Sequence, residues 1–170
     1  MRKYYVLAIG LLTALSVTGA AMLAQPATDD KAAIEALEQQ YIKAFNAKDV
    51  NAIMAIYAPG DQLFVFDAVP PRQYPSWEAY KKDWEALFEA YPGPVTDTMT
   101  DLSITVVGPV AYAHHVEPGH FTKKDGTGVD VVVRVTDVFR KLNGKWLIVH
   151  EHVSFPVDID SGRADLLSKP

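Results

Sequence analysis

Cysteine is absent from all 170 residues, which excludes disulfide cross-links, a lipidated cysteine behind a leader, and thiolate chemistry. Concentrated positive charge is scarce as well. Lys and Arg number 16 against 21 Asp and Glu, the formal net charge is −5, and no basic run exceeds Lys123-Lys124, so nucleic acid is not an expected partner. The sequence also lacks internal repeats, low-complexity tracts and signs of a second domain, and a chain of this length holds one domain with one core.

Long apolar runs are confined to the start. Met1-Arg-Lys3, the apolar stretch 4–17 and the small residues Thr18-Gly-Ala-Ala21 follow the positive, hydrophobic, small order of a secretory signal. Residues 1–24 are therefore expected to be signal peptide and leader, cleaved after Ala20 or Ala21, with 25–28 a linker and 29–170 the folded domain. A periplasmic or secreted protein, free of the membrane after cleavage, is the expectation. The alternative is an uncleaved membrane anchor, because residues 4–24 are just long enough to span a bilayer.

What remains is well patterned. Behind Asp29-Asp30, the residues Ile34, Leu37, Tyr41 and Phe45 recur at helical spacing, and Asp49 caps a second short helix that buries Val50, Ile53, Met54 and Tyr57. Leu63-Phe-Val-Phe66 predicts a short strand ending in Asp67, before a loop stiffened by Pro70-Pro71. Ser76 caps a third helix carrying Trp77, Tyr80, Trp84, Leu87, Phe88 and Tyr91, an aromatic stripe of the kind that marks a packed face. Strands follow over 96–107 and 110–122, then a long hairpin over 129–156 whose Asn143-Gly144 has tight-turn chemistry. Helices come first and strands afterwards. That order implies an α+β fold, with one antiparallel sheet curling over the helices.

Strand alternation sorts the hairpin into faces. Val132, Arg134, Thr136 and Val138 share one side and Val131, Val133, Val135, Asp137 and Phe139 the other, while Trp146, Ile148, His150, His152 and Ser154 point one way on the second strand. An arginine and two histidines facing a dry core would lose solvation, so they are expected to have partners or a wet cavity.

The segments Ala44-Phe-Asn-Ala-Lys-Asp-Val-Asn51, Phe64-Val-Phe-Asp-Ala-Val-Pro-Pro71, Trp77-Glu-Ala-Tyr-Lys-Lys-Asp-Trp84, Arg134-Val-Thr-Asp-Val-Phe-Arg140 and Gly144-Lys-Trp-Leu-Ile-Val-His-Glu-His-Val-Ser154 resemble the NTF2-like superfamily, in its SnoaL-like, ketosteroid-isomerase-related branch. The resemblance implies a cone: a strongly bent antiparallel sheet wrapped round the N-terminal helices, with a ligand pocket at its wide end and sheet-to-sheet homodimers in many members. It also implies roles. Tyr41, eight residues before Asp49, resembles the oxyanion-donor tyrosine of the isomerases, and Asp67 their proton-moving aspartate. Their third residue, a protonated acid on the strand leading into Asp137-Val138, is replaced at the corresponding position by Arg134.

The expected catalytic set is accordingly Asp67, Tyr41, Arg134 and His152, with Arg134 pairing Asp67 and His152 assisting as acid or base near neutral pH. Asp67 as a loop cap and Arg134 as a surface residue are the bland alternatives. Phe66, Tyr74, Trp77, Trp84, His114, Thr136 and Ser154 are the expected pocket lining. His150-Glu-His152 with His114 or His115 could form half a metal site, but no third ligand has diagnostic spacing, so no metal and no cofactor are assigned. Two functions fit these residues: an acid/base isomerase or dehydratase acting on a small apolar oxygenated molecule, or a non-catalytic domain that binds a hydrophobic ligand and keeps a structural Asp–Arg pair.

Overall fold

A computed structural model describes residues 27–169, so the expected signal segment lies outside the described residues. Helix α1 (Ala27–Asn46) carries Asp29 and Asp30 in its first turn, where acidic groups oppose the exposed N–H ends, and buries Ile34, Tyr41, Ala44 and Phe45 along one stripe. Lys48, with φ at 54°, turns the chain into α2 (Val50–Met54), whose first turn is capped by Asp49 Oδ1 accepting from Ala52 N at 3.0 Å. Strand β1 (Phe64–Phe66) follows, and α3 (Trp77–Ala90) starts where Ser76 Oγ accepts from Ala79 N at 3.3 Å. Among the described residues no helix is long and apolar enough to cross a membrane.

The second half is sheet. The predicted strand 96–107 is two strands, β2 (Val95–Asp97) and β3 (Thr100–Val107), which pair successive parts of one edge of β4 (Val110–Thr122). Next come β5 (Gly128–Leu142) and β6 (Lys145–Ser154), joined at Asn143 and Gly144, whose φ values of 50° and 81° are those of a tight turn between twisted strands. The order across the sheet is β1-β6-β5-β4-β2. One expectation needs correcting: β1 runs parallel to β6, with Phe64 opposite His150 and Phe66 opposite His152, so the sheet is mixed. The tail adds a minimal hairpin, β7 (Val157–Asp158) with β8 (Arg163–Ala164).

Between β5 and β6 the register slips. Phe139 faces Ile148, but Val138 faces His150, leaving Val149 as an extra residue in β6. Trp146 and Ile148 point into the core before this bulge; beyond it the inward residues are Glu151 and Val153, and His150, His152 and Ser154 turn to the outer face. The inner face of β5 presents Val131, Val133, Val135, Asp137 and Phe139, so the helices close over a wall that is largely valine. At the other end Asp30 accepts from Lys141 Nζ at 2.6 Å and Trp146 Nε1 at 3.0 Å, tying the start of α1 to the base of the hairpin.

Phe139 has no exposed surface, and truncating it to Ala should cost about 3–5 kcal/mol of unfolding free energy in urea denaturation. Arg134→Ala, on the exposed face of the same strand, should change it by less than about 0.5 kcal/mol.

Candidate functional site

A cavity of about 170 Å³ lies between the inner face of the sheet and helices α1 and α3. Val129, Val131, Val133 and Val135 from β5, Phe121 from β4, and Tyr41, Phe45, Trp84 and Leu87 from the helices make most of its wall apolar. The rings interlock edge to face, with Phe45 and Trp84 centroids 5.7 Å apart and Tyr41 and Trp84 6.1 Å apart. Val69, 48 % exposed, marks where the cavity meets solvent beside Asp67.

Into this apolar space project carboxyl groups from nearly every surrounding element: Glu38 of α1, Asp67 after β1, Asp97 of β2, Glu117 of β4, Asp137 of β5 and Glu151 of β6. His115 of β4 joins them, and no lysine or arginine is among the lining residues. Desolvation disfavours the charged form of each acid, and their proximity adds mutual repulsion. Burial, with the charges of Glu151 and Asp83, pushes the Asp67 carboxyl up to about 7, against two backbone N–H bonds that favour its ionised form. Burial and Glu117 raise Asp97 to about 9, and burial and Glu151 raise Glu117 to about 8. Asp97 and Glu117 are hydrogen-bonded carboxyl to carboxyl, which requires a shared proton. Burial also raises Asp137 well above the carboxylate range, and it lifts Glu38 to about 7 despite the nearby His115.

Glu151 is held differently. The hydroxyls of Tyr57 and Tyr80 donate to its two oxygens at 2.6 and 2.5 Å, which offsets part of the rise that burial causes. His115 shares a 2.9 Å hydrogen bond between its Nε2 and Glu117 Oε1, and burial keeps its imidazole pKa below the usual value. The Tyr41 hydroxyl has no hydrogen-bond partner among the described residues, and its own pKa is raised first by burial and then by the fields of Glu117 and Asp97.

Three of the residues expected at the site line this cavity: Asp67, Tyr41 and Trp84. The others do not. Arg134 alternates with the inward Val133 and Val135, so it projects from the opposite face of the sheet, exposed and away from Asp67; the expected Asp67–Arg134 pair is not formed. Thr136 and His114 share that outer face for the same reason of alternation. His152 and Ser154 join them because the Val149 bulge reverses the facing of β6; the His152 ring lies 5.7 Å from that of Phe66, which flanks it on the outside. Tyr74 is buried behind the wall, its hydroxyl donating to Asp83 at 2.6 Å, and Trp77 spends its indole N–H on Met54 O at 2.8 Å. Three residues beyond Arg134 on the same strand, Asp137 is a buried acid on the inner face. Glu38, Asp97, Glu117 and Glu151 have no role in the sequence reading, and His115 enters it only as a possible metal ligand alongside His150 and His152. Their signal was a polar residue at a core position: Glu38 falls on the Ile34, Tyr41, Phe45 stripe, and His115 and Glu117 continue the alternation of the buried Ala111 and Ala113.

Residues 34–158 match the model of the SnoaL-like domain family. Among solved structures, an NTF2-like protein of unknown function from Pseudomonas putida KT2440 superposes with a TM-score of 0.77 at 28% identity, over 85% of this chain and 99% of that one. An NTF2-like superfamily protein from Salmonella enterica serovar Typhimurium gives 0.72 at 18% identity over 82% and 100%, and a ketosteroid isomerase-like protein from Erwinia carotovora atroseptica gives 0.62 at 21% over 72% and 93%. No curated protein matches significantly.

Acids raised by folding make the native state bind more protons than the unfolded chain between their ordinary values, 3.8 and 4.5, and the folded values of about 7 to 9. Their contribution to stability is complete below that window and is lost as pH rises through it, while His115, held neutral, acts the opposite way as a single group. The melting temperature of the metal-free protein should therefore fall steadily from pH 5 to pH 9 when followed by circular dichroism; a flat or rising profile would contradict the buried-acid assignment.

Proposed function

Since the chain belongs to the SnoaL-like domain family, we propose that it is an acid/base enzyme of the isomerase or dehydratase class, acting on a small apolar molecule that carries a carbonyl. The observation that carries this reading is Asp67: a carboxyl at the mouth of an apolar cavity, poised near 7, where a general base both exists in its ionised form and retains basicity. In this reading Asp67 removes a proton α to the carbonyl. The partnerless Tyr41 hydroxyl donates a hydrogen bond to the oxygen as negative charge develops there. Returning the proton to a different carbon completes an isomerisation; expelling a β-hydroxyl completes a dehydration.

The dimensions narrow the substrate. At about 170 Å³ the cavity is smaller than the roughly 300–1,000 Å³ of sites for drug-sized ligands, which favours a single-ring or short-chain molecule over a steroid. The competing reading, a domain that only holds a hydrophobic ligand, loses its proposed Asp–Arg pair but keeps the valine wall.

The two part on Asp67→Asn. With 3-cyclohexen-1-one as probe, conjugation followed by ultraviolet absorbance should show turnover that drops about 10²–10⁴-fold in the variant. In the wild type kcat/KM should rise with pH through a limb near 7, as the carboxyl ionises. Turnover unchanged in Asp67→Asn would remove the assignment. Export and homodimerisation belong to the same proposal: the N-terminal residues carry the order of a secretory signal, and Val107, Val110 and Tyr112 leave an apolar patch exposed on the β3–β4 hairpin. Mass spectrometry of the protein expressed from its full reading frame should find a chain starting at Ala21 or Met22, and gel filtration a dimer.

A further inference from the structure

We propose that Glu38, His115 and Asp137, buried in the wall of the cavity, form a binding site for a divalent first-row transition metal such as Zn²⁺ or Mn²⁺. One ligand atom from each of the three lies within 4.8 Å of the others, and His115 Nδ1 is 3.8 Å from Asp137 Oδ2. Bonds of about 2.0–2.2 Å to a tetrahedral ion hold ligand atoms about 3.3–3.6 Å apart, so a small rotamer adjustment draws the three onto one centre. They come from α1, β4 and β5, so the site is built by the tertiary fold rather than by one loop.

The unsatisfied atoms distinguish this group from a mere cluster of acids. Glu38, His115 and Asp137 are 2 %, 3 % and 1 % exposed, and at each of them one buried atom, Glu38 Oε1, His115 Nδ1 and Asp137 Oδ1, is reached by no hydrogen-bond donor or acceptor group. Buried polar atoms are ordinarily satisfied, and one bare atom on each of three residues whose ligand atoms cluster within 4.8 Å calls for a common partner. His115 is oriented as metal-bound histidines are. Its Nε2 is engaged with the Glu117 carboxyl, an arrangement that fixes the ring and, with the proton on Nε2, leaves Nδ1 as the ligand atom on the side of Asp137. Charge argues the same way, since the lining contains seven carboxyls and neither lysine nor arginine. A dication would take the place of protons that otherwise keep these acids neutral. One imidazole with two carboxylates suits Zn²⁺ or Mn²⁺ better than Mg²⁺ or Ca²⁺, which favour oxygen alone.

The site goes beyond the acid/base reading and stands without it, because Asp67 is not a ligand. The test is equilibrium dialysis of the chelator-stripped protein against ZnCl₂ or MnCl₂, with metal counted by mass spectrometry and melting temperature recorded in parallel. Expected are one ion per chain and a rise of about 5–10 °C at metal a hundredfold above its dissociation constant, with no such rise for Mg²⁺ or Ca²⁺. Glu38→Gln should weaken binding at least tenfold and His115→Gln should abolish it. Should the histidine variant not fold, Glu38→Gln decides. His152→Gln, on the outer face, and Asp67→Asn should both leave binding intact, so loss of turnover and loss of metal are separable. Absence of stoichiometric binding, or binding lost with His152 and retained in Glu38→Gln, would overturn the proposal.

Discussion

A carboxylate sealed from water must find donors, and the way Glu151 finds them organises the domain. Its two oxygens accept from Tyr57, which follows α2, and from Tyr80 of α3, so one side chain of β6 fastens both helical segments to the sheet. The same tyrosine rings pack on one another with centroids 5.4 Å apart, so the polar anchor and the apolar core share their atoms. Removing Glu151 would leave two buried hydroxyls without an acceptor, and removing either tyrosine would leave a buried oxygen without a donor. Each member therefore constrains the others. The helices are consequently held at a fixed height above the sheet, and the space left beneath them is the cavity.

What fills that space chemically follows from what is missing around it. Valines set a low-dielectric wall, and with no cationic side chain among the lining residues the acids can only relax by keeping protons, by pairing with each other, or by accepting from hydroxyls. All three solutions occur: protons shared between Asp97 and Glu117, hydroxyls on Glu151, and a near-neutral pKa at the mouth on Asp67. Where Glu38, His115 and Asp137 meet, these solutions run short at one atom of each residue.

Much of the fold was legible because its signals are local. Caps at Asp49 and Ser76, the Asn143-Gly144 turn and the helical stripes each act within a few residues, and the elements they predict are present. The site was less so, for a specific reason. Trp146 and Ile148 are plainly core, and extending their parity along β6 puts His150, His152 and Ser154 inside; a single unpaired residue, Val149, reverses the facing and delivers Glu151 instead. A bulge is set by pairing across the sheet, not by the identity of the bulged residue, and valine carries no mark of it. Arg134 was misplaced by a related argument, in which its valine and threonine neighbours suggested burial although they line the outer face. Asp67 and Tyr41 were picked out by their resemblance to the isomerase residues, Asp67 also by its place directly after a strand, and both line the cavity.

The parallel pairing of β1 with β6 also sets an order of events in folding. Phe64 O accepts from the His150 ring Nδ1 across 86 positions of chain, and apart from the isolated bridge of Val65 to Tyr74 the strand β1 pairs with β6 alone. Closing so long a loop is entropically unfavourable until β4, β5 and β6 have already formed their hairpins, whose contacts are close in sequence. The first strand thus docks onto a finished edge, and Asp67, which terminates it, reaches the cavity only after the opposite wall exists. The pocket is therefore complete only once β6 is in place, and a chain that stopped short of β6 would lack the wall that carries Glu151 and Val153.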